Sequence, residues 1–445
     1  MPYQKRGGAG FEAASKIAHM EMIQHPVLQS VVQSLRVDDA PRTPAGTEPT
    51  LRVDIAQAPV IEDIVTVDAG LQVVPNPVRR EKAMSFINPG ASLLRLADLE
   101  RLAADPIMDP RDMSDILGRH TLRPAYLPLR GVRMGSRSMK DTLREVINAT
   151  LCRGITDLYD VLEFLLFEGW LPQGAPRAKR SMKCLDCRQE FDLPPKQIFG
   201  CPHCAHAHYL SDYLGLLSDS DSEESPGEEV AHGFMGVLEV LCLFRLPMLL
   251  TKANRDARLA NILFIKDGSL MLRAAGFRVV DGIRRYLDWL RAKGSPMHLV
   301  GVEKTGQMTE FLEDFSQAVP QPGDVFMPPR RFIKEEIQGR SYDPEGYRDR
   351  VSYGTRIGVR LSETHVVALQ TPATTLANGG PEAPVPTDFP ELEEIVRTLS
   401  RLTSARYPNA LLPLVHANRQ VSLANGRSSR ILEEYVMSLM RGGGA

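Results

Sequence analysis

A chain of 445 residues with 43% hydrophobic content can bury one large core or two smaller ones, which excludes a disordered protein. Its formal net charge of -2 excludes bulk electrostatic attraction to nucleic acid, so any such binding has to come from local basic patches. The opening MPYQKRGGAGFEAASK lacks the apolar core of a signal peptide and no uninterrupted apolar run approaches membrane-spanning length, so a soluble, cytoplasmic protein is expected.

Residues 10 to 36 carry apolar positions at helical spacing (Phe11, Ala14, Ile17, Met20 and Ile23, then Val27, Val31 and Leu35), interrupted at Pro26. This predicts a helical N-terminal arm, and the Pro/Thr/Gly-rich stretch Asp39 to Pro49 reads as a linker, so residues 1–55 stand apart. The run Ile64-Val65-Thr66-Val67 ends at Asp68 and, after Ala69-Gly70, continues as Leu71-Gln72-Val73-Val74. A chain reversal at that glycine would make a hairpin opening an RNase H-like sheet. Helical periodicity dominates from Ala91 to Trp170, with Ser138 as the N-cap of a helix carrying Leu143, Val146, Ile147 and Leu151. Residues 56–180 then form the first part of an α/β domain.

Residues 181–215 are a separate module. Residues 216–232 contain the run Ser218 to Glu229, polar, like-charged and without periodicity, which reads as a mobile loop that repels phosphate. From Gly233 the pattern alternates: helix to about Asn254, strand Ile262–Ile265, helix Val279–Ala292, strand Leu299–Val302, helix Met308–Ala318. Such alternation argues for an α/β core, a mixed sheet flanked by helices. Arg356 to Gln370 reads as paired antiparallel strands, and helices at Glu391–Arg406, Leu411–Val421 and Ser428–Met440 close the second part of the domain, residues 233–445.

Four of the six cysteines fall in two CxxC pairs, Cys184/Cys187 and Cys201/Cys204, separated by 13 residues. Two knuckles of this kind supply four thiolates to zinc, and four sulfur ligands leave no open position, so the ion is expected to be structural and the module a zinc ribbon. His203, His206 and His208 lie close by as substitute ligands that four thiolates do not need. The basic residues Arg177, Lys179, Arg180 and Lys183 offer a weak phosphate-facing reading.

Asp68 and Asp267 each follow an apolar strand and precede a turn, the place where ligand groups gather in α/β sheets. Two carboxylates meeting there would hold a divalent cation, the simplest machinery for hydrolysing a phosphodiester. A third acid could be Glu239, alone on an apolar helix, where an unpaired carboxylate is costly without a cation or a hydrogen-bond network. Arg330-Arg331-Phe332-Ile333-Lys334 interleaves basic and aromatic residues and is the candidate nucleic-acid edge, through Arg330, Arg331 and Lys334.

The segments IVTVDAGLQVV, GFMGVLEVL, ILFIKDGSL, HLVGVEKTGQM and YPNALLPLVHANRQ, in that order over roughly residues 60 to 440, resemble the NurA family of nucleases, particularly its longer bacterial members. The resemblance implies an RNase H-like domain acting on DNA with manganese or magnesium, commonly as a homodimer beside a hexameric HerA-type ATPase. It matches Asp68 to the first-strand aspartate, Glu239 to the helix glutamate, Asp267 to the aspartate of the DGS motif and Lys304 to the lysine after the third strand. Tyr407 and His416 match the C-terminal tyrosine and histidine. Two departures stand out: Asp68-Ala69-Gly70 replaces the Asp-Gly-Ser of many members, and the long spacing from Glu239 to Asp267 keeps Asp256 as a rival third acid.

Overall fold

The computed structural model describes residues 44–75, 82–104, 120–154, 156–217, 228–272, 277–343, 351–375, 380–403, 411–423 and 431–435, with Pro26 and Ser438 as single positions. The expected N-terminal arm and most of the acidic segment after residue 217 lie outside these. Within residues 46–445 the framework is a ten-stranded mixed sheet. Its strands are β1 (Leu51–Arg52), β2 (Asp63–Pro75), β3 (Ala83–Arg95), β4 (His120–Leu122) and β5 (Ala125–Leu129) from the first half of the chain. The ribbon contributes β6 (Ser181–Lys183), β7 (Glu190–Asp192), β8 (Ile198–Gly200) and β9 (Ala207–Tyr209) to two separate hairpins. The sheet resumes with β10 (Ile262–Asp267), β11 (His298–Glu303), β12 (Asp324–Phe326), β13 (Thr355–Ser362) and β14 (His365–Thr371). The order is β1-β12-β13-β14-β11-β10-β2-β3-β4, with β5 beside β3.

The centre is parallel and the wings are antiparallel. β2, β10 and β11 run the same way. They can do so because β10 returns to β11 through the helix Phe277–Ala292, a crossover that a parallel pair requires. β10 and β11 are buried on both faces except at their last residue, which explains their unbroken apolar runs. One face carries Val65, Val67, Phe264 and Leu299 against Val237, Leu241 and Phe244 of the long helix Glu228–Lys252. The other carries Ile64, Leu263, Ile265, Val300 and Val302 with Ile395 and Leu399 of helix Leu392–Arg401 and Leu414 of helix Leu412–Val421. Because side chains alternate along a strand, the last residue of β10 points to the second face and the one before it to the first.

Three sequence expectations change. The chain does not reverse at Gly70: β2 continues through it for 13 residues and pairs with β3 from Asp63↔Arg95 to Pro75↔Ala83. Glycine is needed there for close approach, since a Cβ on Gly70 would lie 2.2 Å from the carbonyl oxygen of Val421 at the end of the covering helix. The helical reading from Ala91 misses the end of β3 and all of β4 and β5; helix resumes at Leu96–Ala104 and Met139–Ala149, where Ser138 Oγ does cap the Asp141 amide at 3.0 Å. The helix Glu228–Lys252 is also long and apolar enough to cross a membrane, but 67% of its most apolar window is packed inside the molecule. Its residues are apolar all round because helices and sheet enclose it.

Candidate active site

Asp68 and Asp267 are brought together by strand register. β2 and β10 are parallel neighbours with Ile265 opposite Thr66 and Lys266 opposite Val67, so one further step sets Asp267 beside Asp68 on the same face. After Asp267 the chain turns at Gly268, whose φ of 82° favours glycine, and its amide donates to Val302 O at 2.8 Å. The turn crosses close over β11: a Cβ on Gly301 would lie 2.5 Å from Gly268 O.

The two carboxylates are held differently. Asp68 is 6% exposed; its Oδ1 accepts from the Ala69 amide at 2.8 Å, and its Oδ2 is buried with no hydrogen-bond partner. Burial, then the charges of Asp267 and Glu239, push its carboxyl up to about 7, against the pull of the Ala69 amide and Lys304. Asp267 is half-buried, and its Oδ2 accepts from Lys304 Nζ at 2.8 Å and from Asn418 Nδ2 at 2.9 Å. Lys304 follows β11 directly, so the lysine and the aspartate sit at the ends of adjacent strands.

Glu239 comes from the long helix on the opposite face. The residue before Asp267 points that way, and Lys266 Nζ lies 2.7 Å from Glu239 Oε2 with both side chains 8% exposed. Lys266 Nζ also donates to Asp267 O at 3.0 Å. Burial raises the Glu239 carboxyl, and Lys266 opposes that. Tyr353, fully buried nearby, has a hydroxyl without a hydrogen-bond partner and is pushed up by burial and then by Glu239. Three carboxylates thus surround the strand ends, but among the described residues only the four cysteines gather three or more ligand atoms within 4.8 Å of one another. Two of the acids are held by lysines, Glu239 by Lys266 and Asp267 by Lys304.

The rival Asp256 is at the other pole. It precedes β10, whereas Asp267 ends it, and its carboxylate pairs with Lys293 at 2.9 Å. His416 is half-buried on helix Leu412–Val421, but the residue this helix brings to Asp267 is Asn418. Tyr407 lies outside the described residues. Arg330, Arg331 and Lys334 follow β12, four places from β10 in the sheet or about 19 Å away. There Arg331 pairs with Glu335 at 2.9 Å, and Phe332 packs between Phe311 and Phe326. Lys266 and Asn418 were not singled out from sequence. A lysine inside an otherwise apolar strand was a usable signal for the first, since a buried ammonium requires a carboxylate.

The ribbon is a closed cluster. Cys184 Sγ is 3.6 Å from Cys204 Sγ, and Cys187 Sγ is 3.8 Å from Cys201 Sγ. A tetrahedral zinc with bonds of about 2.3 Å would space its sulfurs about 3.8 Å apart, so the donor set fits that ion. The two knuckles repeat one backbone design. The Asp186 and His203 amides each donate to the first cysteine of their pair at 3.4 Å, and Arg188 and Ala205 take positive φ just after the second. His208 is no ligand here: its Nε2 touches Cys184 Sγ at 3.3 Å while its Nδ1 faces Asp212 at 3.6 Å. Asp212 in turn takes Arg144 of helix Met139–Ala149 at 2.8 Å, which ties the ribbon to the core. Burial opposes the charge of Asp212, but His208 and Arg144 hold its carboxyl below the usual range. Arg180 clamps Asp281 at 2.6 Å and is 9% exposed, so it does not offer itself to phosphate.

No family model and no curated protein matches the sequence. Among solved structures, the crystal structure of the NurA nuclease from Sulfolobus solfataricus aligns over 97% of this chain and 98% of that one, with 10% identity and a TM-score of 0.33. A match so loose transfers neither residue roles nor activity.

Proposed function

We propose that the chain is a divalent-metal-dependent deoxyribonuclease of the NurA type, an RNase H-like sheet hydrolysing phosphodiester bonds at the ends of β2 and β10. The observation that carries this reading is the buried, unpartnered Oδ2 of Asp68 beside the carboxylate of Asp267. A carboxylate kept in that position costs free energy unless a proton or a cation neutralises it. Asp68 Oδ2 and Asp267 would hold manganese or magnesium, ions that take oxygen ligands. Such an ion supplies activation of water at neutral pH and stabilisation of the charge that develops on phosphate.

The chain's own groups have definite tasks in this scheme. Lys304 is fixed on Asp267 at 2.8 Å and presents a positive charge to an incoming phosphate. Asn418 holds the same Asp267 oxygen and so sets that carboxylate's orientation. His416 as a proton carrier or phosphate ligand, and Tyr407 as a base-stacking or phosphate-binding group, rest on the sequence resemblance. So do DNA as substrate, a homodimer, a HerA-type hexameric ATPase partner and a role in DNA end processing or anti-phage defence. Arg330, Arg331 and Lys334 remain a backbone-binding edge remote from the acids.

Digestion of single- and double-stranded DNA in manganese, compared with an RNA oligonucleotide and with chelator, tests the reading. Cleavage of DNA by the wild type and its loss in both Asp68→Asn and Asp267→Asn is the expected result; undiminished cleavage by both variants overturns it. One observation favours a second reading, a non-catalytic DNA- or ATPase-binding adaptor. Glu239 and Asp267 are each already neutralised by a lysine, as a scaffold without metal would require. Binding of DNA without any cutting in manganese would establish that alternative.

A further inference from the structure

We infer that Gln370 is a positioning residue for the reaction: its side chain ties the turn that follows Asp267 to the strand end that carries Lys304, and so sets where those two groups meet. The inference rests on the nuclease reading above and deepens it. Gln370 lies on β14 and is 4% exposed. It stands opposite Gly301, which stands opposite Lys266, so its side chain leaves the sheet on the helix side, away from the aspartates.

It reaches the site through the chain that follows Asp267. After Gly268 the backbone crosses over β11 to the helix side, where Leu270 is buried in the same core as Val237 and Phe244. Gly301 makes room for the crossing, since a Cβ there would also lie 3.1 Å from Leu270 N. Leu270 O accepts from the Tyr353 amide at 2.9 Å, and Leu270 N donates to Gln370 Oε1 at 3.0 Å. The other end of the carboxamide donates from Nε2 to Glu303 Oε1 at 2.6 Å, and Arg356 Nη2 donates to the same oxygen at 2.8 Å. The amide fits only this way round, because the Leu270 N–H only donates and the Glu303 carboxylate, paired with Arg356, only accepts. Glu303 immediately precedes Lys304, and Leu270 follows Asp267 by three residues. One buried side chain therefore joins the supports of both partners in the 2.8 Å contact between Lys304 and Asp267. Removing it would leave a buried backbone amide unpaired and release the turn.

Mn2+ titration followed by electron paramagnetic resonance, with steady-state DNA cleavage, tests this on the zinc-loaded full chain. Gln370→Leu should weaken Mn2+ binding and lower kcat, each by about 10–100-fold, with KM for DNA unchanged, the size expected when a group supporting a ligand is lost. Gln370→Glu keeps the oxygen that Leu270 needs but sets a second carboxylate against Glu303, and should lose both to a similar extent. Pairing it with Glu303→Gln restores one donor and one acceptor across the contact, and should return Mn2+ affinity and kcat to within about 3-fold of the wild type. Thr371→Val is the control: it removes a buried hydrogen bond to Leu299 O on the other face of the same strand, and should lower the melting temperature while leaving Mn2+ affinity and kcat unchanged. Undiminished Mn2+ affinity and kcat in folded Gln370→Leu or in Gln370→Glu, no recovery in the paired variant, or equal losses in Thr371→Val would each overturn the inference and leave the nuclease reading standing. The paired variant and Thr371→Val decide it where Gln370→Leu fails to fold. A wild type that neither binds Mn2+ nor cuts DNA overturns both.

Discussion

The ribbon and the strand-end carboxylates are both clusters of potential metal ligands, and they are assembled in opposite ways. The ribbon's four sulfurs come from 21 consecutive residues and lie within 4.8 Å of one another, with local backbone amides aimed at the first cysteine of each knuckle. Asp68, Glu239 and Asp267 come from three distant segments and lie on both faces of the sheet, with Glu239 paired to Lys266 and Asp267 to Lys304. Four cysteine sulfurs at tetrahedral spacing bind zinc strongly and leave no open position, so a cluster of this kind closes around the ion. Carboxylates can also be satisfied by lysines, as Glu239 and Asp267 are, so their cluster stays looser.

Metal removal gives the widest contrast. Cys184→Ser should lower zinc content from one ion per chain to none and unfold residues 181–215, since structural zinc contributes on the order of 10 kcal/mol to small domains of this kind. Elemental analysis and amide exchange across β6–β9 check this, and retention of full zinc would break the comparison. EDTA should leave the strand-end site folded, because lysines already neutralise two of its acids.

Next in size is the loss of reaction. Asp68→Asn and Asp267→Asn are each expected to reduce manganese-dependent DNA cleavage by about 1,000-fold or more, with an unchanged circular dichroism spectrum. Lys304→Met should cost less, on the order of 10–100-fold, because it removes charge from the phosphate and an anchor from Asp267 but no metal ligand.

The Asp68 carboxyl also predicts an opposite effect on stability. Its folded pKa of about 7 lies above the ordinary 3.8, so its ionisation penalises the metal-free fold progressively as pH rises from about 4 to 7 and fully above that. Asp68→Asn should therefore be more stable than the metal-free wild type at pH 8, by on the order of 2–4 kcal/mol, and no more stable near pH 4. Mn2+ should raise the wild-type melting temperature more at pH 8 than at pH 6 and leave the Asn variant unmoved. Thermal melts at these pH values decide it.

The smallest change sharpens how the site is covered. Gly70→Ala would place a methyl 2.2 Å from Val421 O and must shift the helix that carries Asn418, at a cost of about 1–3 kcal/mol. An unchanged melting temperature and unchanged cleavage would show that the helix is not locked to β2 at this point.

Much of this was legible without coordinates. The CxxC knuckles needed only spacing, and β10 and β11 announced themselves as short β-branched runs ending in Asp267 and Glu303. β3 was hidden because Asn88-Pro89-Gly90 in its middle looks like a turn, whereas in the structure these residues pair with Asp68, Ala69 and Gly70. Asn418 had no signal at all: one helix turn and an interstrand distance decide which residue of VHANRQ reaches Asp267.

The amino-acid sequence by itself determined the elements whose information is local: the ribbon, the central strands, the acids at their ends. Which acids share a face, that Asp256 lies at the far pole, and that Lys266 meets Glu239 were decided only by the tertiary structure. The physical reason is that these follow from strand register and from which buried charge has a partner, and both are properties of segments that meet only when the sheet forms.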